Sequence, residues 1–495
     1  MPFAFGIEHL AVALLGVVIG IIFGAIPGMT ATMAVAVFLP LTYAYSMEMA
    51  LYLLLGLYVG GISGGLVPAI LINIPGTPSS VCTTFDGHPM ALRGESERAL
   101  KTGITASFMG GLISLLVLAV FTPVLAGWAI KFSAVEKFLI ILFAMTVIAA
   151  LSRGQMLRGI WIGMVGVLIS LMNQFPVNNT FRMVPKFMQS EMQGGFQLFP
   201  LLIGLFAIAQ MFGECETGMR AKYTKEDAYE VTRMDGYKFT RDFKGQGANV
   251  IRSALIGTFV GILPGVGGSA ASILAYSQAK SWSKNPELLG TGVPEGLIAS
   301  EASNNGLTGG ALVPLLSLGI PGDSTTAVLI GAFMLQGIQV GPLFISNHPR
   351  IWNTVLVAML VSNILMYLVM FFPIKLISKI IFIPQERLYP VVLMMCTLGA
   401  YATLNGRMFD VWGLLLFGII GYLLKKFNFP SSCFLIGFIL GRDLENYFIQ
   451  AISAKSGSLA VFFTRPMSWV IWALIFVSIL YAVLDNRKSK GLSNE

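Results

Sequence analysis

Gly309-Gly310-Ala311-Leu312-Val313-Pro314-Leu315-Leu316-Ser317-Leu318-Gly319-Ile320-Pro321-Gly322-Asp323-Ser324-Thr325-Thr326 reads as an apolar helix that stops at Ile320-Pro321-Gly322 and restarts on a hydroxyl-rich turn. Proline removes a backbone donor and disfavours helix in the residue before it, and glycine opens backbone angles that other residues avoid. In hydrocarbon an unpaired peptide group costs several kcal/mol, so such a break survives only inside protein or along a cavity. The stretch therefore predicts a membrane helix broken in the protein interior. Asp323, Ser324, Thr325 and Thr326 then sit on the positive end of the second half-helix, where N–H groups point outward unpaired.

The stretch has a twin. Residues 64–80, Gly64 to Ser80, align with 310–326 without gaps and keep Gly64/Gly310, Leu66/Leu312, Val67/Val313, Pro68/Pro314 and the whole Ile-Pro-Gly. An earlier pair, Gly20-Ile-Ile-Phe-Gly-Ala-Ile-Pro-Gly28 and Gly257-Thr-Phe-Val-Gly-Ile-Leu-Pro-Gly265, recurs in the same order. Paired interrupted segments in corresponding halves are the mark of a duplicated transporter fold whose breaks frame the binding site.

Composition agrees. Hydrophobic residues make up 55% of the chain and charged residues 11%, and the mean hydropathy is +0.77, which excludes an ordinary soluble protein of 495 residues. The net charge of +8 is scattered over short loops and the tail rather than gathered in a nucleic-acid-binding patch. Cys82, Cys215, Cys396 and Cys433 lack zinc-site spacing and read as packing residues. The first apolar run has no basic n-region and is expected to be a retained span.

No Lys or Arg precedes Arg93, whereas Asn486-Arg-Lys-Ser-Lys490 is basic, so the N-terminus is expected outside and the C-terminus in the cytoplasm. Residues 8–43 and 48–75 form apolar runs ending in or broken by Pro-Gly, followed by a loop expected over Gly87–Lys101. Spans are expected near 104–126, 135–151, 156–173 and 196–213, with an amphipathic connector over 174–195. Segment 214–252 holds Arg220, Lys222, Lys225, Arg233, Lys238, Arg241, Lys244 and Arg252 with interleaved acids, and reads as a cytoplasmic linker between halves. The domain scheme is a first transmembrane repeat over 1–213, the linker over 214–249, a second repeat over 250–484 and a basic tail over 485–495. An outside N-terminus and a cytoplasmic linker make the two repeats inverted. In the second half a polar segment, 295–305, leads into the central helix, and further spans are expected near 351–373, 388–404, 409–424 and 467–484. Residues 431–441 are too short to cross alone, so they either extend toward 452 or re-enter. The fold class is an all-α polytopic membrane protein of about 12 segments in two inverted repeats with Pro-Gly-broken helices or re-entrant hairpins.

No phosphate-binding Gly-x-x-x-x-Gly-Lys pattern occurs, so energy is expected from an ion gradient or a partner rather than ATP. Gly61-Ile-Ser-Gly-Gly65 matches the hydrolase elbow but lies in a helical apolar run, where small residues let helices pack closely. His9, His88 and His348 are too few and too scattered for a metal site, and catalysis is not expected.

The break regions instead offer hydroxyls and amides: Thr30, Thr32, Asn73, Thr77, Ser79, Ser80, Thr83, Ser269, Ser272, Ser303, Asn304, Asn305, Ser317, Ser324, Thr325 and Thr326, with no Lys or Arg. Of these, Thr30, Asn73, Thr77, Ser79, Ser80, Ser269, Ser324, Thr325 and Thr326, with the break residues Pro27, Gly28, Pro75, Gly76, Pro264, Gly265, Pro321 and Gly322, form the candidate substrate site. Helix N-termini of about half a positive charge each roughly neutralise one carboxylate, so a di- or tricarboxylate needs co-bound cations, Na+ or H+. Asp323 and Glu301 are the candidate cation ligands with Asn304 and Asn305, since intramembrane acids usually serve function. Asp323 also reads as an N-cap, and Glu301 also as the end of a solvated loop.

Gly24-Ala-Ile-Pro-Gly28, Ile74-Pro-Gly-Thr-Pro78 with Asp86-Gly-His-Pro-Met90, Gly261-Ile-Leu-Pro-Gly265, Gly292-Val-Pro-Glu-Gly296, Glu301-Ala-Ser-Asn-Asn305 and Gly319-Ile-Pro-Gly322 with Thr325-Thr326 resemble the large membrane subunit of tripartite tricarboxylate transporters, the TctA family. The resemblance covers nearly the whole chain. It implies a bacterial inner-membrane carrier that works with a small TctB-like membrane subunit and a periplasmic TctC-like binding protein delivering organic acids. Competing readings are a stand-alone carrier for another solute and a non-coupled channel or scaffold.

Overall fold

Long apolar runs can satisfy every backbone group only by coiling, and the computed structural model is built of helices joined by short irregular segments over its described residues, 5–150, 156–175, 180–217, 237–383, 385–402, 407–454 and 458–492. In chain order the helices are α1 (Ile7–Ala25), α2 (Ala31–Phe38), α3 (Met47–Gly64), α4 (Leu66–Ile72), α5 (Thr83–Leu92), α6 (Ser96–Ala129), α7 (Ala134–Ala150), α8 (Met156–Ser170), α9 (Leu198–Ile203), α10 (Ala209–Thr217) and α11 (Phe239–Asp242). There follow α12 (Gly247–Ile262), α13 (Gly267–Trp282), α14 (Pro294–Leu318), α15 (Ser324–Leu335), α16 (Phe344–Asn347), α17 (Pro349–Phe371), α18 (Ile374–Ile377), α19 (Gln385–Ala402), α20 (Met408–Lys426), α21 (Ser431–Ser453) and α22 (Pro466–Leu492). Six of the described helical stretches are long and apolar enough to cross a membrane, with several shorter apolar helices beside them. The chain is a polytopic membrane protein.

Several expectations are corrected. The loop expected over 87–101 shrinks to Arg93-Gly94-Glu95, because α5 runs to Leu92 and α6 starts at Ser96. The charges there serve the helix instead: Lys101 pairs with Glu97 at 2.6 Å one turn apart, and Arg98 with Glu95 at 2.7 Å. Polar residues 295–305 are not a lead-in but the first half of α14, a 25-residue helix buried along almost its whole length. Pro294 at its first position supplies a preset φ. Residues 431–441 belong to one helix, α21, of 23 residues. The connector after α8 is irregular, with a bridge between Gln174 and Phe181 and a single turn over Lys186–Met188. Of the linker, residues 218–236 lie outside the described residues, and the tail to Leu492 continues α22.

The chain folds as two units. One comprises Met1–Val124, Gly213–Leu263 and Gly267–Gly399, the other Leu125–Phe212, Pro264–Val266 and Ala400–Glu495.

In the first unit the duplicated sequence becomes duplicated packing. A methyl group on Gly20 would strike the carbonyl oxygen of Leu57, and one on Gly257 that of Ser303. Gly60 lies against the Val17 carbonyl as Gly306 does against Ala254, Gly64 against Ile21 as Gly310 against Thr258, and Gly76 against Gly24 as Gly322 against Gly261. These four close approaches of the first half thus have their counterparts in the second at the aligned residues. Close backbone approach of this kind replaces the hydrophobic driving force that is missing between helices in lipid. The ends of the long helices match as well. Asn73 at φ +57 and Gly319 at φ +76 both terminate them in the left-handed region, and the next amides, Ile74 and Ile320, bond back to Pro68 and Pro314, both at 3.3 Å.

In the second unit α8 packs on α21 by the same device, with Gly166 against the Phe434 carbonyl and Gly437 against that of Gly163. Val135, Leu139, Ala451, Val461, Phe462, Ile471 and Ile475 bury a separate apolar cluster between α7, α21 and α22.

Candidate functional site

All four Pro-Gly points interrupt helix. Between α1 and α2 the chain passes through Pro27 and Gly28 (φ +89) to Thr30, whose hydroxyl caps α2 by accepting from the Met33 amide at 3.1 Å. Between α12 and α13 it passes Pro264 and Gly265 (φ +78). Beyond α4, Asn73 is exposed, Pro75 is half-buried and Gly76 is buried, and a short 3-10 turn over Pro78–Ser80 precedes α5. Beyond α14, Pro321 and Gly322 are buried and Asp323 starts α15.

The second and fourth breaks are each followed by a hydroxyl-bearing turn at aligned positions. Asp323 accepts from the Thr326 amide at 2.7 Å and from the Thr326 hydroxyl at 2.7 Å, while its own amide donates to that hydroxyl at 2.9 Å, a full capping box. In the twin, Thr77 Oγ1 lies 2.9 Å from Ser80 Oγ and 3.1 Å from Ser79 Oγ, all three buried.

The breaks also meet across the halves. Thr32, just inside α2, is bonded to Thr325 at 2.8 Å, and the aligned Ser269, just inside α13, donates to the Pro78 carbonyl at 2.7 Å, with Gly268 against Ser79. So the first break is joined to the fourth and the third to the second, as one arrangement repeated.

Polar residues then gather on α14, where Ser300, Glu301, Ser303, Asn304 and Asn305 are buried to zero exposure. Thr83 donates to Glu301 Oε1, and Ser107 donates to Oε2 at 2.8 Å. Ser63 donates to Asn305 Oδ1 at 2.7 Å. Among the described residues the Asn305 nitrogen and the Ser303 hydroxyl have no hydrogen-bond partner, and the Asn304 amide lies beside the Glu301 carboxylate. An unmet buried polar group costs about 1–3 kcal/mol, so these groups call for a ligand.

The remaining acid is differently placed. Asp323 is buried and Tyr58 of α3 donates to its Oδ2 at 2.7 Å, so both carboxylate oxygens are engaged. Asp86 of α5 has a third role. Its Oδ1 accepts from the amides of Gly290, Gly292 and Val293 at 3.0, 2.8 and 2.9 Å, and its Oδ2 from Tyr276 at 2.8 Å. Arg93 donates to the carbonyls of Thr291 and Gly292, so α5 holds the turn that feeds α14.

Glu301 is therefore no loop-end residue, because α14 carries it into the interior. Tyr58 and Ser107 were not singled out by the sequence, and Ser63 only as the centre of the Gly61–Gly65 elbow match. The available signal for Tyr58 was its alignment, since it occupies the first-half position of Asn304.

A family model described as the tripartite tricarboxylate transporter TctA family matches residues 10–436. A relative from Agrobacterium vitis, printed as an uncharacterized 52.8 kDa protein in the TAR-I ttuC' 3' region, is 33% identical over 475 residues, 96% of this chain and 93% of its own length. A second Agrobacterium vitis protein, from the TAR-II ttuC' 3' region, is 35% identical over 234 residues, 47% of this chain and 96% of its own. No solved structure matches.

Proposed function

Because this chain belongs to the tripartite tricarboxylate transporter TctA family, we propose that it is the permease subunit of a binding-protein-dependent importer that carries an organic carboxylate by cation symport. It works in the bacterial inner membrane with a small membrane subunit and a periplasmic solute-binding protein, and its two repeats are inverted. The substrate carboxylates are held at the breaks by Pro27, Gly28, Thr30, Asn73, Pro75, Gly76, Thr77, Ser79, Ser80, Pro264, Gly265, Ser269, Pro321, Gly322, Ser324, Thr325 and Thr326. Half-helix N-termini supply partial positive charge and the hydroxyls donate hydrogen bonds. The coupling cation is handled by Glu301 with Asn304 and Asn305, and Asp323 sets the position of α15 beside them. Movement of the break-bearing helices against the other spans gives alternating access.

The observation that carries this reading is the duplicated meeting of breaks, Thr32 with Thr325 and Ser269 with Pro78, next to a buried row of unsatisfied polar groups on α14. Irregular backbone at membrane depth is tolerated only where it is enclosed by protein or lines a cavity. The test is reconstitution of the chain with its small subunit and periplasmic protein. Uptake of radiolabelled citrate and of a set of dicarboxylates is measured with and without the periplasmic protein. Saturable, protein-dependent uptake with counterflow is expected; non-saturating flux would point to a channel instead.

A further inference from the structure

One side of α12 carries a groove of about 680 Å³ whose lining includes Ile251, Arg252, Leu255, Ile256, Phe259 and Val260. Spaced three or four apart, these residues form a single stripe of the helix. Ile251 and Phe259 are exposed, and Leu255 and Ile256 are half-buried. From Ala248 to Val260 the stripe runs about 18 Å along the axis. That is close to the roughly 15 Å that one leaflet contributes to the hydrocarbon core of a bilayer, so the groove has the length of one acyl chain lying beside the helix.

Arg252 is out of keeping with that lining. Its guanidinium stands over the Trp282 ring at 5.0 Å, and its Nη2 donates to Asn249 Oδ1 at 3.3 Å. Its Nε is buried with no hydrogen-bond partner among the described residues, and no carboxylate among them lies within ion-pair distance of it. The fold does not ask for this charge. By the alignment that pairs Gly20 with Gly257, Arg252 matches Leu15, an exposed residue of α1. An arginine on an apolar helix face is unfavourable in a membrane unless its head reaches the interface, the depth at which tryptophan is also enriched. Lys280 and Lys284 are exposed at the Trp282 end of α13 and likewise have no acidic partner among the described residues.

We propose that this groove binds one anionic phospholipid of the cytoplasmic leaflet, with an acyl chain along residues 251–260 and the headgroup phosphate on Arg252 beside Trp282. A guanidinium presents a donor fork that matches phosphate oxygens, and Nε is the donor left over for them. Arg252 with Lys280 and Lys284 favours a headgroup of net negative charge over a zwitterionic one. The leaflet follows from charge, because α12 begins within the basic segment that holds Lys238, Arg241 and Lys244. A covering helix from another chain would have to carry an acid into the membrane to meet Arg252, a placement that disfavours insertion. A phospholipid brings its phosphate to that depth already. The inference needs only that the chain spans a membrane and is independent of the symport reading.

The test uses the full-length chain purified in detergent, with thermal unfolding followed as palmitoyl-oleoyl phosphatidylglycerol, the matching phosphatidylethanolamine or inorganic phosphate is added. Phosphatidylglycerol should raise the midpoint saturably, as a ligand that binds only the folded state does. The other two should leave it unchanged at the same concentrations. Arg252→Leu should raise the half-saturating phosphatidylglycerol concentration about fivefold or more, the worth of one arginine at an anionic headgroup. Arg158→Leu removes an arginine of the second unit that stands over the Phe429 ring, and should leave the response unchanged. Equal stabilisation by the two lipids, an undiminished response in Arg252→Leu, or an equal loss in Arg158→Leu would overturn the site. A saturable response to inorganic phosphate would assign Arg252 to a free anion and overturn the lipid. Loss of the phosphatidylglycerol effect when the small membrane subunit is bound would give the groove to that subunit and overturn it as well. The comparison of the two lipids on the wild type decides if Arg252→Leu does not fold.

Discussion

Tyr58 Oη donates to Asp323 Oδ2 at 2.7 Å, across 265 positions of sequence, and so ties the long helix of the first half to the cap of the last half-helix of the second. The bond is buried, and with the two bonds from Thr326 it completes the carboxylate. Tyr58→Phe should therefore cost about 1–3 kcal/mol, the penalty of an unmet buried acceptor. Asp323→Asn keeps a good capping side chain and should cost less than Asp323→Leu. Thermal unfolding of the purified variants checks the order; Asp323→Leu as stable as Asp323→Asn would contradict the capping role.

The aligned glycines predict paired effects. Gly76→Ala and Gly322→Ala each push a methyl into a carbonyl, that of Gly24 and of Gly261, so each should destabilise by about 1–3 kcal/mol or more through overpacking. Gly247→Ala, where a Cβ meets open space, should be neutral. Folded yield after solubilisation, read by gel filtration, tests the contrast.

Pro321→Ala restores a backbone donor at the fourth break and favours helix through Ile320. Transport should fall about tenfold or more, equivalent to roughly 1.4 kcal/mol on the limiting step, while expression stays normal. Undiminished uptake would mean that the interruption of α14 and α15 is incidental.

Acid should loosen one contact near the start of α6. Asp242 accepts from Arg98 at 2.7 and 2.9 Å and from Arg241 at 3.0 Å. Burial by itself pushes its pKa up, but the bonds from Arg241 and Arg98 outweigh that and hold it below the usual carboxylate value. A depressed folded pKa stabilises above the unfolded value of about 4 and loses that contribution as pH falls through the folded value. Asp242→Asn should thus lower the unfolding midpoint at neutral pH and lose less on acidification below about pH 4 than the wild type does. An equal loss in both would assign the acid sensitivity elsewhere.

Much of this was legible in the residues. Ile-Pro-Gly at 74–76 and 320–322 and Pro-Gly at 27–28 and 264–265 announce breaks because proline and glycine act locally. Their alignment predicts the duplication that the glycine contacts then reproduce. The burial of Glu301 was not legible, because Ser300 to Asn305 are as polar as any loop and only packing of α14 against α3, α5, α12 and α13 makes them helical and internal. The same holds for residues 87–101, whose charges are absorbed by ion pairs such as Lys101 with Glu97. Tyr58 gave no local sign, since an aromatic in an aliphatic run reads as core and its partner is far away in sequence.

The most direct test of the central claim is concentrative uptake in proteoliposomes holding this chain with its small subunit and periplasmic protein. Radiolabelled citrate and dicarboxylates serve as probes, with wild type compared with Glu301→Gln. The account predicts that wild-type accumulation stops when the Na+ and H+ gradients are both collapsed, and that Glu301→Gln loses gradient-driven accumulation while retaining downhill exchange. Wild-type accumulation by Glu301→Gln, or wild-type uptake indifferent to both gradients, would contradict it.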